Sequence, residues 1–431
     1  MSDKLKINRA RIEEIDGCIA ALFEKRMEAV KQIAEYKREN SLPTLDKGRE
    51  EELIKKNSAL IENEEVRDLY VDMLKSTMEI SKRYQRRFLA KDGVIFADHS
   101  EGGYPIFLGR GAFSELSELL RPYSKVAVLT DSGVPAAYAE AVLGMVKESR
   151  LITVQMGEGS KSFSTLEAVL SEMSDFGISR ADALVAVGGG MVSDLGGLAA
   201  ALYMRGIHFY SCTTTLLGAA DASVGGKTAV NLLGAKNLAG VFSDPQAVVI
   251  DTDCFKTLTG RQIAEGLAEI IKIAAVLDKE LFERLEGLNP KRVLEEIEPI
   301  LRRAIELKLS VVSKDRREGD LRRVLNFGHT VGHAIESCSG ELYHGECVGL
   351  GMLCTSFGEA RERICALLEK FHLPTTCKLP PEQVSAKVGR DKKRECDTVC
   401  VIRCKEIGEF GIEPMPLADA EALYLRVFDN N

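Results

Sequence analysis

The feature that most constrains this chain is where it spends its glycine. Of 37 glycines only Gly17 and Gly48 precede residue 90, and Pro43 is the one proline in that stretch. Helix interiors tolerate Gly and Pro least, so this segment is free to be helical almost throughout. Ile12, Ile15, Ile19, Leu22, Phe23 and Val30 recur at three- and four-residue spacing, which predicts one long amphipathic helix over about the first forty residues. SLPTLDKGRE breaks it, and two further helices are expected at about 48–61 and 64–90. Three such helices bury their apolar faces poorly alone, so an intertwined dimer is expected.

From Gly93 the texture changes. YPIFL, KVAVLTD, LITVQM, ADALVAVGGG, IHFYSCTTT and AVVID read as strands, mostly followed by helical stretches, the pattern of a doubly wound α/β layer. After about residue 256 helices dominate. The expected architecture is therefore multidomain: an all-α three-helix domain over 1–90, an α/β domain over 91–255, and a mainly helical domain over 256–431.

Composition narrows the function classes. A net charge of -8 argues against a nucleic-acid partner, because no excess of Lys and Arg exists to neutralise phosphates, although local basic pockets for small anions stay open. No apolar run approaches the roughly 18 residues that span a bilayer, and the first 30 residues are charged throughout, so neither a membrane nor export is expected and the cytoplasm is. Eleven cysteines without a CxxC pair read as reduced, structural thiols.

On the first helix Arg26 and Lys37 are eleven residues apart and so lie only about 20° from each other around the axis. Arg9 falls roughly 100° from Arg26, where it would serve a different pocket, such as a partner subunit's. Asp46, Arg49 and Glu50 open the second helix, and Ser81 and Gln85 share one face of the third. Any one of these charges alone reads as a solvated face. As a set, they closely resemble the small all-helical chorismate mutases over essentially all of residues 1–90. The resemblance implies that Arg26, Arg49 and the partner's Arg9 clamp the two carboxylates of chorismate. Lys37 and Gln85 would bond the ether oxygen, and Glu50 the ring hydroxyl. Such a pericyclic reaction needs a compressed conformer and well-aimed donors, with no nucleophile.

ALVAVGGGMVSDLGG, from Ala183 to Gly197, is strand, three glycines, then helix, which suits a phosphate approaching backbone amides but is a weak signal alone. DASVGGKT is not a nucleotide P-loop, since Asp221 stands where glycine is needed. NFGHTVGHAIESCSGELYHGE holds three of the chain's six histidines: His329, His333 and His344. His329 and His333, four apart, share a helix face, so spacing alone makes them a metal-ligand pair. Thr330 stands where a zincin carries Glu, which removes that reading.

GEGSKS, VGGGMVSD, YMRG, TTLLGAADASVGGKTAVN, AKNLAG, GLAEIIK and the histidine stretch occur in one fixed order. This run closely resembles 3-dehydroquinate synthase over about residues 93–431. The resemblance implies NAD at Asp131, Glu158, Lys161, Gly189, Gly190, Asp194, Thr214, Thr215 and Lys236, with Asp221 and Lys227 between cofactor and substrate. It assigns the metal, zinc with cobalt as alternative, to Glu269, His329 and His344, and leaves His333 as a proton relay. Arg205, Lys227, Asn237, Lys272, Lys308, Arg322, Asn326 and Lys392 or Lys393 complete the implied pocket, with Arg205 reaching in from a second subunit. Lysines and arginines suit a phosphate and a carboxylate in one site. The implied net reaction is a phosphate-eliminating ring closure in which NAD ends as it began, a lyase and not a dehydrogenation.

Thr213 stands where the family usually has proline and Arg316 where it usually has an acidic residue, which keeps a related sugar-phosphate cyclase open. A metal-dependent polyol dehydrogenase, or a helical scaffold on an inactive α/β domain, are the further alternatives. Small-molecule substrates and a homodimer or higher homo-oligomer are expected throughout.

Overall fold

The computed structural model describes residues 3–40, 47–89, 93–99, 102–388 and 398–428. Asp46, Lys392 and Lys393 lie outside the described residues. The chain divides into two compact units, Met1–Gly103 and Tyr104–Asn431.

The first unit is built on helices Asp3–Glu39, Lys47–Ser58 and Glu64–Leu89, followed by strand Val94–His99. The first helix is 37 residues long because nothing in it interrupts the 3.6-residue period. Val30 and Ala34 on it, and Leu74, Met78 and Ser81 on the third helix, are buried where the two pack. The predicted apolar stripe is only partly used, however. Ile12, Ile15, Ile19 and Leu22 remain 50–65% exposed in the single chain.

The second unit carries a parallel sheet whose strands run in the order Gly102–Gly109, Ala247–Asp251, His208–Thr213, Ala183–Gly188, Lys125–Asp131, Glu148–Val154. The central strands are near-continuous apolar runs because helices cover both faces. Leu129, Leu184, Ala186, Leu195, Phe209 and Val230 meet in the resulting core. From Lys125–Asp131 the chain steps outward to Glu148–Val154, then returns to the other side to lay down Ala183–Gly188. The order therefore reverses between the strands ending at Asp131 and Gly188. Ligands of open α/β sheets bind in the crevice beyond the carboxyl ends of strands at such a reversal. Helix Gly190–Leu202 begins there, with Gly189 before it and no side chain capping its first turn.

Beyond the sheet lie helices Gly260–Leu277, Lys279–Gly287, Val293–Val312, His329–Cys338, His344–Thr355 and Gly358–Lys370. Thr259 and Gln262 close a capping box at the start of the first of these, which fixes where its buried face begins. Two antiparallel hairpins lie outside the parallel sheet, the first of them not expected. One pairs Lys227–Leu232 with Ala235–Phe242. The other pairs Thr398–Arg403 with Gly411–Pro416, so strand structure does return in the last third. No helix among the described residues is long and apolar enough to cross a membrane.

Candidate functional site

Helix Gly260–Leu277 carries Glu269 at 0% exposure and, one turn on, Lys272 at 2%. Lys272 Nζ pairs with Glu269 Oε2. The other carboxylate oxygen, Oε1, is buried and has no hydrogen-bond partner. It lies 3.6 Å from Nε2 of His329 and 3.4 Å from Nε2 of His344. Each imidazole is turned toward it by a bond on the opposite nitrogen: His329 Nδ1 sits 3.2 Å from the Phe327 carbonyl, His344 Nδ1 3.4 Å from Glu336 Oε2. One donor atom each from His329, His333 and His344 lie within 4.8 Å of one another. A buried orphan carboxylate oxygen facing converging imidazole nitrogens is a donor set that a divalent cation satisfies, so the residues fit the expected metal.

Burial and the neighbouring carboxylates and lysines set the charges around this cluster, and a bound metal would have to displace the proton that Glu269 and Glu336 hold on His344. Burial pushes His329 down to about 3, with the Lys272 ammonium acting in the same direction, so its ring is neutral. Burial would also lower His344, but Glu269 and Glu336 outweigh it and raise the ring to about 10. Lys308 on helix Val293–Val312 donates to both the carbonyl and Oδ1 of Asp221 at 2.5 Å. Burial would raise the Asp221 carboxyl, yet Lys308 and Lys272 hold it well below its ordinary value.

A second group adjoins through Glu318, which accepts from Lys227 and, at 2.6 Å, from Asn326 Nδ2. Arg322, 4% exposed, donates to the carbonyls of Arg316 at 2.5 Å and Gly225 at 3.3 Å. At the sheet crevice, Lys161 pairs with Asp194, whose carboxyl burial lifts to about 6 against that ammonium. Asn231 links Glu158, at 2.8 Å, to the backbone amide of Asn237 at 2.9 Å. The Thr214 amide bonds the Gly188 carbonyl, and Thr215 caps the short helix leading to Asp221. Asp131 Oδ1 accepts from the Gly133 amide at the carboxyl end of its strand. Arg205 stands apart, exposed, in a kink where Met204 and it both have positive φ.

In the first unit Arg26 donates to Ser81 Oγ and lies 3.5 Å from the Thr77 carbonyl, which joins the first and third helices. Gln85 Oε1 is buried without a hydrogen-bond partner. Lys37 is half-buried, and Arg9 and Arg49 are exposed. Glu50 pairs with Lys82 at 3.2 Å.

Three participants were not among the expected residues. Glu336 orients His344 and pairs with Lys236 at 2.7 Å; it lies seven residues after His329 on the same helix face, so periodicity could have flagged it. Lys82 follows directly after Ser81, and its reach to the second helix has no local signature. Glu318 sits at φ 61 in a loop, outside any periodic element.

Residues 151–265 match the model of the 3-dehydroquinate synthase N-terminal region, and 266–394 that of its C-terminal region. The 3-dehydroquinate synthase of Enterococcus faecalis is 38% identical over 353 residues, covering 77% of this chain and 98% of that protein. The chain belongs to the 3-dehydroquinate synthase family. The synthase of Thermoanaerobacter pseudethanolicus is 39% identical over 322 residues, covering 69% of this chain and 90% of that one. A solved 2-epi-5-epi-valiolone synthase from Streptomyces hygroscopicus, with NAD+ and Zn2+ bound, is 28% identical at a TM-score of 0.69, covering 76% of this chain and 97% of that chain. Ahead of the synthase, residues 8–86 match chorismate mutase type II. The chain is thus an enzyme that fuses a chorismate mutase region to a dehydroquinate synthase, both belonging to the shikimate pathway.

Proposed function

We propose that the synthase part converts 3-deoxy-arabino-heptulosonate 7-phosphate to 3-dehydroquinate and phosphate, and that the mutase part rearranges chorismate to prephenate. The single observation that carries the first reading is the convergence of Glu269, His329 and His344 beside Lys272 and Lys308, in a chain 38% identical to a 3-dehydroquinate synthase along nearly that enzyme's whole length. The assignment of residues 1–90, 91–255 and 256–431 to mutase, cofactor-binding and metal-binding domains belongs to the same proposal.

Bound NAD would supply a transient oxidation of one ring hydroxyl, and a divalent metal, zinc with cobalt as alternative, would polarise the carbonyl so formed. Glu269, His329 and His344 are the residues to hold that metal, with the neutral His329 ring presenting Nε2 because Phe327 engages Nδ1. Asp131, Glu158, Lys161, Gly189, Gly190, Asp194, Thr214, Thr215, Lys227 and Lys236 surround the cofactor in this reading. Lys272, Lys308 and Arg322 bind the carboxylate and phosphate of the substrate, Asn237 and Asn326 orient it, and His333 moves the proton that accompanies phosphate loss. In the mutase part, Arg26 and Ser81 form one anchor for a substrate carboxylate. In this reading Gln85 donates its amide N–H to the ether oxygen. We place the enzyme in the cytoplasm as a homodimer. The exposed Ile12, Ile15, Ile19 and Leu22 support that state, which would bring Arg9 and Arg205 to the partner's sites.

The relative that makes 2-epi-5-epi-valiolone favours one second reading, a cyclase acting on another sugar phosphate. Incubation with the heptulosonate phosphate, NAD and zinc decides between them. Phosphate release without net NADH, abolished by chelator, is expected. Net NADH would contradict the lyase reading, and turnover only of other sugar phosphates would favour the second.

A further inference from the structure

Arg322 raises a question of placement. Among the described residues its guanidinium donates to two neutral carbonyls, those of Arg316 and Gly225, and to no carboxylate. Its charge is therefore not cancelled by a direct partner, as an anion-binding arginine requires. The acceptors come from segments about ninety residues apart in the chain, so something must hold those segments together.

The contacts close a ring. Arg316 Nη2 donates to Asp244 Oδ2 at 3.0 Å, with the two side chains 12% and 23% exposed. Ser243, next to Asp244, donates its amide to the Gly226 carbonyl at 2.8 Å. Gly226 adjoins Gly225, whose carbonyl returns to Arg322, while the Gly225 amide is anchored on Tyr104 Oη at 3.0 Å. Both glycines are required by close approach and by φ of +117° and +65°. A Cβ at Gly225 would lie 2.6 Å from Arg322 Nη2, and one at Gly226 2.5 Å from Asp244 Oδ1.

We propose that Arg316 is a positioning residue whose ion pair with Asp244 latches the Arg322 loop to the 225–244 hairpin, fixing the guanidinium that receives the anionic group of the substrate. This rests on the reading of Arg322 as a substrate-binding residue. A partly buried pair loses much more than a surface pair when one partner is removed, because the other is left uncompensated. Without Arg316's side chain its own carbonyl is free to drift, and Arg322 drifts with it.

The test compares Arg316→Ala, Arg316→Lys, Arg316→Asp, Asp244→Arg and the exchanged pair R316D/D244R with wild type. Arg316→Ala is expected to lower kcat/KM for the heptulosonate phosphate about 10- to 100-fold, mainly through KM, while KM for NAD and affinity for metal stay unchanged. Arg316→Lys recovers part of the loss, and the exchanged pair exceeds either of its single variants. Unchanged KM, or parallel rises for sugar phosphate and NAD, would overturn the latch. If wild type itself does not turn over this substrate, the functional reading has failed and the latch is judged by calorimetry with inorganic phosphate. Weaker phosphate binding in Arg316→Ala and in Arg322→Ala than in wild type then supports it, and equal binding by wild type and Arg316→Ala overturns it.

Discussion

Arg261 grips Glu346 in a two-pronged ion pair, Nε to Oε1 at 2.6 Å and Nη2 to Oε2 at 2.7 Å. The same guanidinium lies 3.9 Å over the Tyr343 ring and donates to the Glu341 carbonyl at 2.7 Å. Glu346 in turn accepts from the Tyr343 amide at 2.8 Å, capping the helix whose first residue is His344. The first turn of the Glu269 helix is thereby tied to the backbone that presents His344.

This clamp predicts that Arg261→Gln weakens metal binding about 10- to 100-fold, the usual loss when a residue supporting a ligand is removed. Arg261→Lys keeps a point charge without the fork and recovers only part of it. Competition with a chelator measures the effect. A lowered melting temperature with unchanged metal affinity would make the pair a purely structural tie.

In the mutase part, Arg26→Ala should lower kcat/KM for chorismate by about 100-fold, the loss of roughly 3 kcal/mol that a charge-assisted hydrogen bond carries. Ser81→Ala should cost less, because it removes an orienting partner and leaves the charge. Both are read by following chorismate disappearance while phosphate release is measured in parallel. Undiminished chorismate turnover in Arg26→Ala would remove Arg26 from the site.

Asp315 accepts from the backbone amides of Gly319 and Asp320, both at 2.8 Å, and of Arg322 at 3.0 Å. Those bonds, the one from Arg322 foremost, lower its carboxyl to about 2. Its folded value lies below the usual value of about 3.9, so the stability it contributes is fully present above pH 4 and is lost as pH falls toward 2. Wild type should therefore exceed Asp315→Asn in urea midpoint by a constant margin above pH 4, and by a shrinking one below it. A margin that stays constant down to pH 2.5 would contradict this.

Much of the fold was legible because its signals are periodic. The long first helix, the six parallel strands and the switch to helices each follow from spacing that hydrophobic burial imposes. Hairpin Lys227–Phe242 was hidden, since Gly234, Gly240, Lys227 and Lys236 interrupt the alternation that marks a strand, whereas the segment around Cys400 and Cys404 does look like strand and pairs as one. At the metal centre, spacing pointed to His329 and His333. All three rings converge in space, however, with centroids 5.0–5.8 Å apart, so four-residue spacing cannot select the ligands. Glu269, sixty residues upstream of His329, is joined to them only by helix packing, and Glu318 only by a loop in a left-handed conformation.

Whether Glu269, His329 and His344 hold the metal is decided by metal content and affinity in wild type, Glu269→Gln, His344→Ala and His333→Ala. One divalent ion per chain is expected in wild type, with about 10- to 100-fold weaker affinity in Glu269→Gln and His344→Ala. His333→Ala should retain the metal and lose phosphate release. Wild-type affinity in the Glu269 and His344 variants, or loss of metal in His333→Ala alone, would contradict it.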